Sequence, residues 1–137
     1  MRWSTKLRVV IDTNVFISGL IWGGNPKKVL EAWLFQKFDL LISPYLCFEI
    51  IDLYQRFNNP KEEVNKLLFY LETKTIKIIP KNKVKVCRDE KNNQILALFL
   101  AGNADFLITG DKDLLALKEF KKTKIVKTKE FLKIIQD

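Results

Sequence analysis

The sequence of 137 residues predicts an α/β fold: a central, mostly parallel sheet with helices on both faces. Three observations carry this expectation. Short apolar segments of strand character alternate with longer segments of helical period. No repeat, low-complexity tract or linker interrupts the alternation. The length suits one compact domain with a sizeable core, residues 1–137.

Taken in order, "LRVVI" is the first strand and passes into an apolar helix that ends near Trp22. "GGNP" then breaks the chain, with Asn25 as N-cap and Pro26 at the first position of the helix "KKVLEAWLFQKF". "DLLIS" is a strand, and Ser43-Pro44 opens the helix "YLCFEIIDLYQRF". Asn59-Pro60, with Glu62 and Glu63 in the first turn, opens another helix that runs to about Thr73. "TIKIIP" and "KVKVC" make one or two strands, and "EKNNQILALFLAG" is a helix closed by Gly102. "DFLIT" is a strand, "DLLALKEF" a short helix, "KIVKT" a strand and "KEFLKII" the last helix.

Composition removes several chemistries. There is no histidine, which excludes a histidine general base, a Ser-His-Asp triad and any histidine zinc site. Cys47 and Cys87 stand apart in apolar surroundings and read as reduced thiols of a cytoplasmic protein, too few to build a zinc site. A catalytic metal would therefore be held by oxygen ligands, which suits Mg²⁺ or Mn²⁺. The longest apolar run, Ile95 to Ala101, is too short to span a bilayer, and "MRWSTKLRVV" has no signal-peptide h-region. The formal net charge is +8, with lysines crowded between Lys74 and Lys91 and between Lys112 and Lys133. That balance fits either a solvated surface or attraction to a polyanion such as a phosphate backbone.

Ligands of parallel sheets bind outside the carboxyl ends of the strands, so acids that follow strands are the candidates. Asp12 ends the first strand, Asp89 follows "KVKVC" and Asp111 follows "DFLITG". Glu49 lies on the stripe of Leu46, Ile50, Leu53 and Phe57, a core-facing position where an acid is rarely found without a partner. Asp52, four residues before Arg56, is a surface ion pair. Two carboxylates 4 Å apart repel by ~4 kcal/mol at an effective dielectric of 20. Several at one edge need a cation to stay ionised together. Singly, Asp12 and Asp89 could also be helix N-caps and Asp111 a turn residue after Gly110.

"VVIDTNVFISGLI", "LLISPYLCFEIIDLY", "CRDEKNNQILALFLAGNADFLITGDKDLLAL" and "IVKTKEFL" resemble, in order and spacing, the PIN-domain family, in particular the toxin components of toxin–antitoxin pairs. The resemblance runs from Arg8 to Leu132 and implies a three-layer α/β/α fold, an acidic Mg²⁺ or Mn²⁺ site and metal-dependent ribonuclease activity. Position by position it puts the family's acids on Asp12, Glu49 and Asp111, with a further acid at Asp113. Thr13, Asn14 and Thr109 match supporting polar positions. One position departs: Asn92 stands where this branch usually carries an aspartate, on the inward face with Ile95, Leu96 and Phe99. Asn92 could ligate through its amide oxygen, and Asp89 could compensate from one turn earlier or simply cap the helix.

The expected activity is hydrolysis of single-stranded or looped RNA by metal-activated water, with Asp12, Glu49 and Asp111, helped by Asp89 or Asn92, holding one or two ions. The resemblance further implies a cognate antitoxin protein and a homodimer. Trp3, Trp22 and Trp33 could add to an apolar interface, although packing is the commoner fate of tryptophan. Two rival readings use the same residues. A haloacid-dehalogenase-like phosphatase needs an acid two residues after its nucleophile, where Asn14 stands. A degenerate domain would bind RNA or a protein without cutting, with Asn92 as the lesion.

Overall fold

A computed structural model describes residues 6–136. Trp3 therefore lies outside the described residues. Among the described residues six strands form one sheet: β1 (Arg8–Ile11), β2 (Asp39–Ile42), β3 (Ile76–Lys77), β4 (Phe106–Ile108), β5 (Glu119–Phe120) and β6 (Thr123–Val126). Among the described residues the helices are α1 (Thr13–Ile21), α2 (Gly24–Leu34), α3 (Pro44–Gln55), α4 (Lys61–Thr73), α5 (Glu90–Ala101), α6 (Lys112–Leu117) and α7 (Thr128–Ile135). The strand order is β3-β2-β1-β4-β6-β5, parallel throughout except for β5.

The layers follow from handedness. Parallel crossovers are right-handed. From β1 the chain steps one way to β2 and β3, which puts α1 to α4 on one face. It then crosses back to β4 and on to β6, which puts α5 and α6 on the other. The contacts agree: α1 packs on α2 and α3, α3 on α4, and α2 on α7, while α5 lies against β1 and β2. This is the three-layer α/β/α arrangement. With both faces covered, Val9, Val10 and Ile11 are all fully buried, which is why the strand reads as an unbroken apolar run. Phe131 of α7 meets Phe38 and Phe106 edge to face, with ring centroids 5.2 and 5.8 Å apart, and ties α7 to the first face.

Several element boundaries differ from expectation. Asn25 is not the N-cap of α2. The helix begins at Gly24, with Gly23 at the cap, and both glycines take positive φ (88° and 69°), a conformation that only glycine adopts cheaply. Pro26 is consequently the third helical residue, where its missing N–H still costs nothing. "DLLALKEF" is not helical to its end. Lys118 turns at φ 61°, and Glu119–Phe120 becomes β5, antiparallel to β6, with Phe120 against Phe99. Of the one or two strands expected over "TIKIIP" and "KVKVC", only Ile76–Lys77 forms. Residues 78–89 are irregular, and near their end the Asn93 side chain takes the backbone groups of two residues: its Oδ1 accepts from the N–H of Val86 (3.1 Å) and Cys87 (2.8 Å), and its Nδ2 donates to the Cys87 carbonyl (3.0 Å). The Asp52–Arg56 pair is present at 2.7 Å on the exposed side of α3.

α1 and α2 approach closely at Gly19. A Cβ there would come within 2.7 Å of Leu30 Cδ1 and 2.8 Å of the Pro26 carbonyl oxygen. Backbone has to move to admit it. Gly19→Ala is therefore expected to destabilise the protein by ~1–3 kcal/mol, the usual cost of overpacking, despite the better helix propensity of alanine. A denaturant midpoint at or above that of the parent would show that the two helices are not locked at this crossing.

Candidate metal centre at the sheet switch point

The direction of winding reverses between β1 and β4, and the crevice at such a reversal is where a doubly wound sheet binds ligands. Register decides which residues meet there. Ile11 pairs with Ile108, and Ile108 with Val126. The next residue on each strand is Asp12, Thr109 and Lys127, so these three stand in a row at the carboxyl edge. On the other side β2 ends beside β1 at Ser43, whose hydroxyl accepts from the Leu46 N–H and caps α3.

Asp12 occupies the N-cap position of α1, but its side chain does not cap the helix. It turns instead to Thr109, whose hydroxyl donates to Oδ2 at 2.6 Å. The same hydroxyl accepts from the Asp111 N–H at 3.0 Å, so Thr109 ties the two acidic positions together. Asp12 is 7% exposed. Burial, and then the charge of Asp111, push its carboxyl above the ordinary range, while the Thr109 bond and the amides at the start of α1 draw it down. The balance is an anion short of positive charge.

Asp111 uses Oδ1 twice, accepting the Leu114 N–H that caps α6 (3.0 Å) and the Asn92 amide (3.3 Å). Asn92 is buried on the inward face of α5 with Ile95, Leu96 and Phe99, where the helical spacing puts it. Glu49 projects from α3 with its side chain 16% exposed. Its Oε1 accepts from Thr13 Oγ1 (2.6 Å), its Oε2 from the Tyr45 hydroxyl (3.2 Å), and Lys91 Nζ stands 3.9 Å away. Burial and the Glu49 charge push the Tyr45 phenol up to about 12, so Tyr45 remains a donor.

The remaining predicted residues sit further out. Asp89 is exposed and caps α5 by accepting the Lys91 N–H (3.0 Å). Asp113 is exposed and paired with Arg88 (3.1 and 3.3 Å). Asn14 is exposed, and lines with Asp12, Thr109 and Asp111 a cavity of about 380 Å³. Sequence reasoning missed four residues here. Ser18, Lys127 and Thr128 line the same cavity, and Tyr45 positions Glu49. Lys127 and Thr128 were hidden inside the expected strand "KIVKT", because β6 ends at Val126 and leaves both at the carboxyl edge. Both cysteines are half-buried, and burial raises both thiols, so neither supplies a thiolate.

The donors at this edge are carboxylate, amide and hydroxyl oxygens, the chemistry of a hard divalent cation. A buried Asp12 beside a second acid, with no paired cation among the described residues, fits such an ion. Among the described residues no three acidic, cysteine or histidine side chains stand close enough to hold one by themselves. Asp12 and Asp111 are tied together through Thr109, and Glu49 is held by its own donors.

The family model of the PIN domain matches residues 8–113, from β1 into α6. The chain belongs to the PIN-domain family. The resemblance read in the sequence as far as Leu132 extends beyond that match, which ends before β5, β6 and α7. An uncharacterized protein of Methanocaldococcus jannaschii is 34% identical over 120 residues, covering 83% of this chain and 77% of the relative. Membership places the chain in a nuclease-like superfamily whose members typically use divalent metals. The haloacid-dehalogenase-like alternative falls away with it. No helix among the described residues is long and apolar enough to cross a membrane.

Proposed function

We propose that this PIN-domain protein is a Mg²⁺- or Mn²⁺-dependent endoribonuclease, the toxin of a toxin–antitoxin pair, built as a single cytoplasmic domain. The observation that carries the reading is the buried Asp12 beside Asp111 at the switch point, tied through Thr109 in an oxygen-lined cavity. In this reading Asp12, Glu49 and Asp111 hold the ion, with Asn92 offering an amide oxygen. Asp89 serves as the α5 cap and reaches the ion at most through water. A divalent ion bound there supplies an acidified water and neutralises charge developing on the phosphate.

The side chains do the rest. Thr109 fixes the rotamer of Asp12, and Thr13 and Tyr45 aim Glu49 from two sides. Lys127, exposed at the cavity rim and without an ion pair among the described residues, is free to hold a substrate phosphate. Water adds to phosphorus as the 3′ oxygen leaves and takes a proton, giving a 5′-phosphate and a 3′-hydroxyl. A short, open cavity suits single-stranded or looped RNA, since an A-form duplex presents its backbone on a wide convex surface. An antitoxin would silence the site, and exposed Trp22 (75%), edge to face with Phe57, supplies apolar surface for that protein or for a second copy. Trp33 is buried in the core and offers none.

The second reading, a domain that binds RNA or protein without cutting, is favoured by the neutral Asn92. Labelled single-stranded RNA separates the two. Cleavage is expected with Mn²⁺ or Mg²⁺ and should stop completely on adding a chelator. Mn²⁺ binding by calorimetry with intact RNA after long incubation would favour the non-catalytic reading. Growth arrest on expression, relieved by a neighbouring gene product, would test the toxin role.

A further inference from the structure

Beside the acidic centre lies a second concavity, of about 450 Å³, between the start of α3 and the irregular segment 80–85. Ser43 and Tyr45 line one wall, and Lys81, Lys83 and Lys85 the other. It continues the same edge of the sheet. Ser43 stands next to Asp12 in the row of strand ends, and the Tyr45 hydroxyl is bonded to Glu49. The lysine wall is built rather than loose. Val84 packs against the core between Lys83 and Lys85, and Asn93, buried on α5, holds the two residues after Lys85 by their backbone N–H groups. The three lysines are exposed, and none makes an ion pair among the described residues.

Three like charges spaced two residues apart outnumber Glu90, the acid that shares the groove, so the wall keeps a net positive charge and favours a chain of anions. The tyrosine ring opposite is 37% exposed and oriented by its bond to Glu49. A cationic wall facing an aromatic ring is the arrangement that binds single strands without reading sequence, the lysines on phosphates and the ring under a base. We propose that this groove is a single-stranded RNA subsite in which a base stacks on Tyr45 and Lys81, Lys83 and Lys85 hold the backbone, leading the strand across Glu49 to Asp12. It rests on the ribonuclease reading for its purpose but not for its test.

The test is binding of a fluorescent single-stranded RNA to the full chain in chelator, where nothing is cut, read by anisotropy over a range of salt. Tyr45→Ala is expected to weaken binding about tenfold through lost stacking. Tyr45→Phe keeps the ring and loses only the Glu49 bond, so it should bind within about twofold of the parent. Replacing Lys81, Lys83 and Lys85 together by alanine should reduce the slope of log affinity against log salt by about 2, three phosphates at ~0.7 each. The same change at the exposed Lys61, Lys66 and Lys122, outside the groove, should leave the slope nearly unchanged. Parent-like binding by Tyr45→Ala and the groove triple variant overturns the proposal, as does an equal loss in the control triple variant, which would make the attraction diffuse. Undiminished RNA binding in the groove variants with lost affinity for an acidic polypeptide would assign the groove to a protein partner instead. A groove that binds as expected in a protein that never cleaves RNA would leave this subsite standing and remove the ribonuclease reading.

Discussion

Asp12→Asn is expected to abolish metal-dependent RNA cleavage and, in chelator at neutral pH, to raise the melting temperature. The loss of activity should exceed about 10²-fold, since a ligand that helps neutralise developing phosphate charge contributes several kcal/mol to the barrier. The gain in stability has the opposite cause. Folding buries Asp12 and sets it beside Asp111, which raises its carboxyl above the ordinary value of 3.8. A carboxyl raised on folding is disfavoured when ionised. That penalty is absent in acid and grows as pH rises from the unfolded value through the raised folded one. Asparagine keeps an oxygen for the Thr109 hydroxyl and carries no charge. The melting temperatures of parent and variant should therefore converge as pH falls toward 3.8 and separate toward neutrality. Adding Mn²⁺ should reverse the order, stabilising the parent and leaving the variant nearly unmoved. Parent-like cleavage by Asp12→Asn would take this residue out of the metal centre, and a stability difference independent of pH would take away the charge argument.

The parts of this molecule that were legible are those where one local pattern meets one physical demand. β1, β2 and β4 carry short apolar runs because the sheet is covered on both faces. Strand ends in a parallel sheet share an edge, so the sequence alone brings Asp12 and Asp111 together. Glu49 was legible from helical spacing alone, although the stripe that located it ends early: Phe57 is 45% exposed and packs on Trp22 rather than in the core. What stayed hidden depends on partners distant in sequence or on backbone choices without a residue signal. Lys118 and Lys121 take positive φ with no glycine or asparagine to announce it, and β5 follows from those two turns. Asn93 reads as one more polar residue near a helix start, yet it shapes the segment that carries Lys81, Lys83 and Lys85. Lys127 was one lysine in a crowded region until the register of β4 and β6 placed it beside Thr109. Tyr45 lay in an apolar helix pattern, and only the turn of Glu49 toward it shows its use.

Asn92→Asp should change metal affinity more than any other single substitution that adds a group to this site. Asn92 is buried 3.3 Å from Asp111, to which it donates a hydrogen bond. An aspartate there replaces that donor with a second anion. Without metal, two carboxylates at such a distance do not both stay ionised. One takes up a proton at a raised pKa, and the folded state loses stability at neutral pH. With a divalent ion between them the sign changes. Each carboxylate attracts a charge of two, while the pair repels as unit charges at somewhat greater separation, so the sum is favourable. The variant is therefore expected to melt below the parent in chelator and above it in millimolar Mn²⁺. Calorimetry should show Mn²⁺ binding tighter by about tenfold or more, about 1.4 kcal/mol per factor of ten. RNA cleavage should be faster if the neutral amide is what limits the parent. Tighter Mn²⁺ with unchanged cleavage would mean that Asn92 tunes occupancy and not chemistry. Equal Mn²⁺ affinity in variant and parent would show that position 92 does not face the ion. Asp89→Asn is the control, since a residue that only caps α5 should lower stability modestly, by ~1 kcal/mol or less, and leave Mn²⁺ affinity where it was.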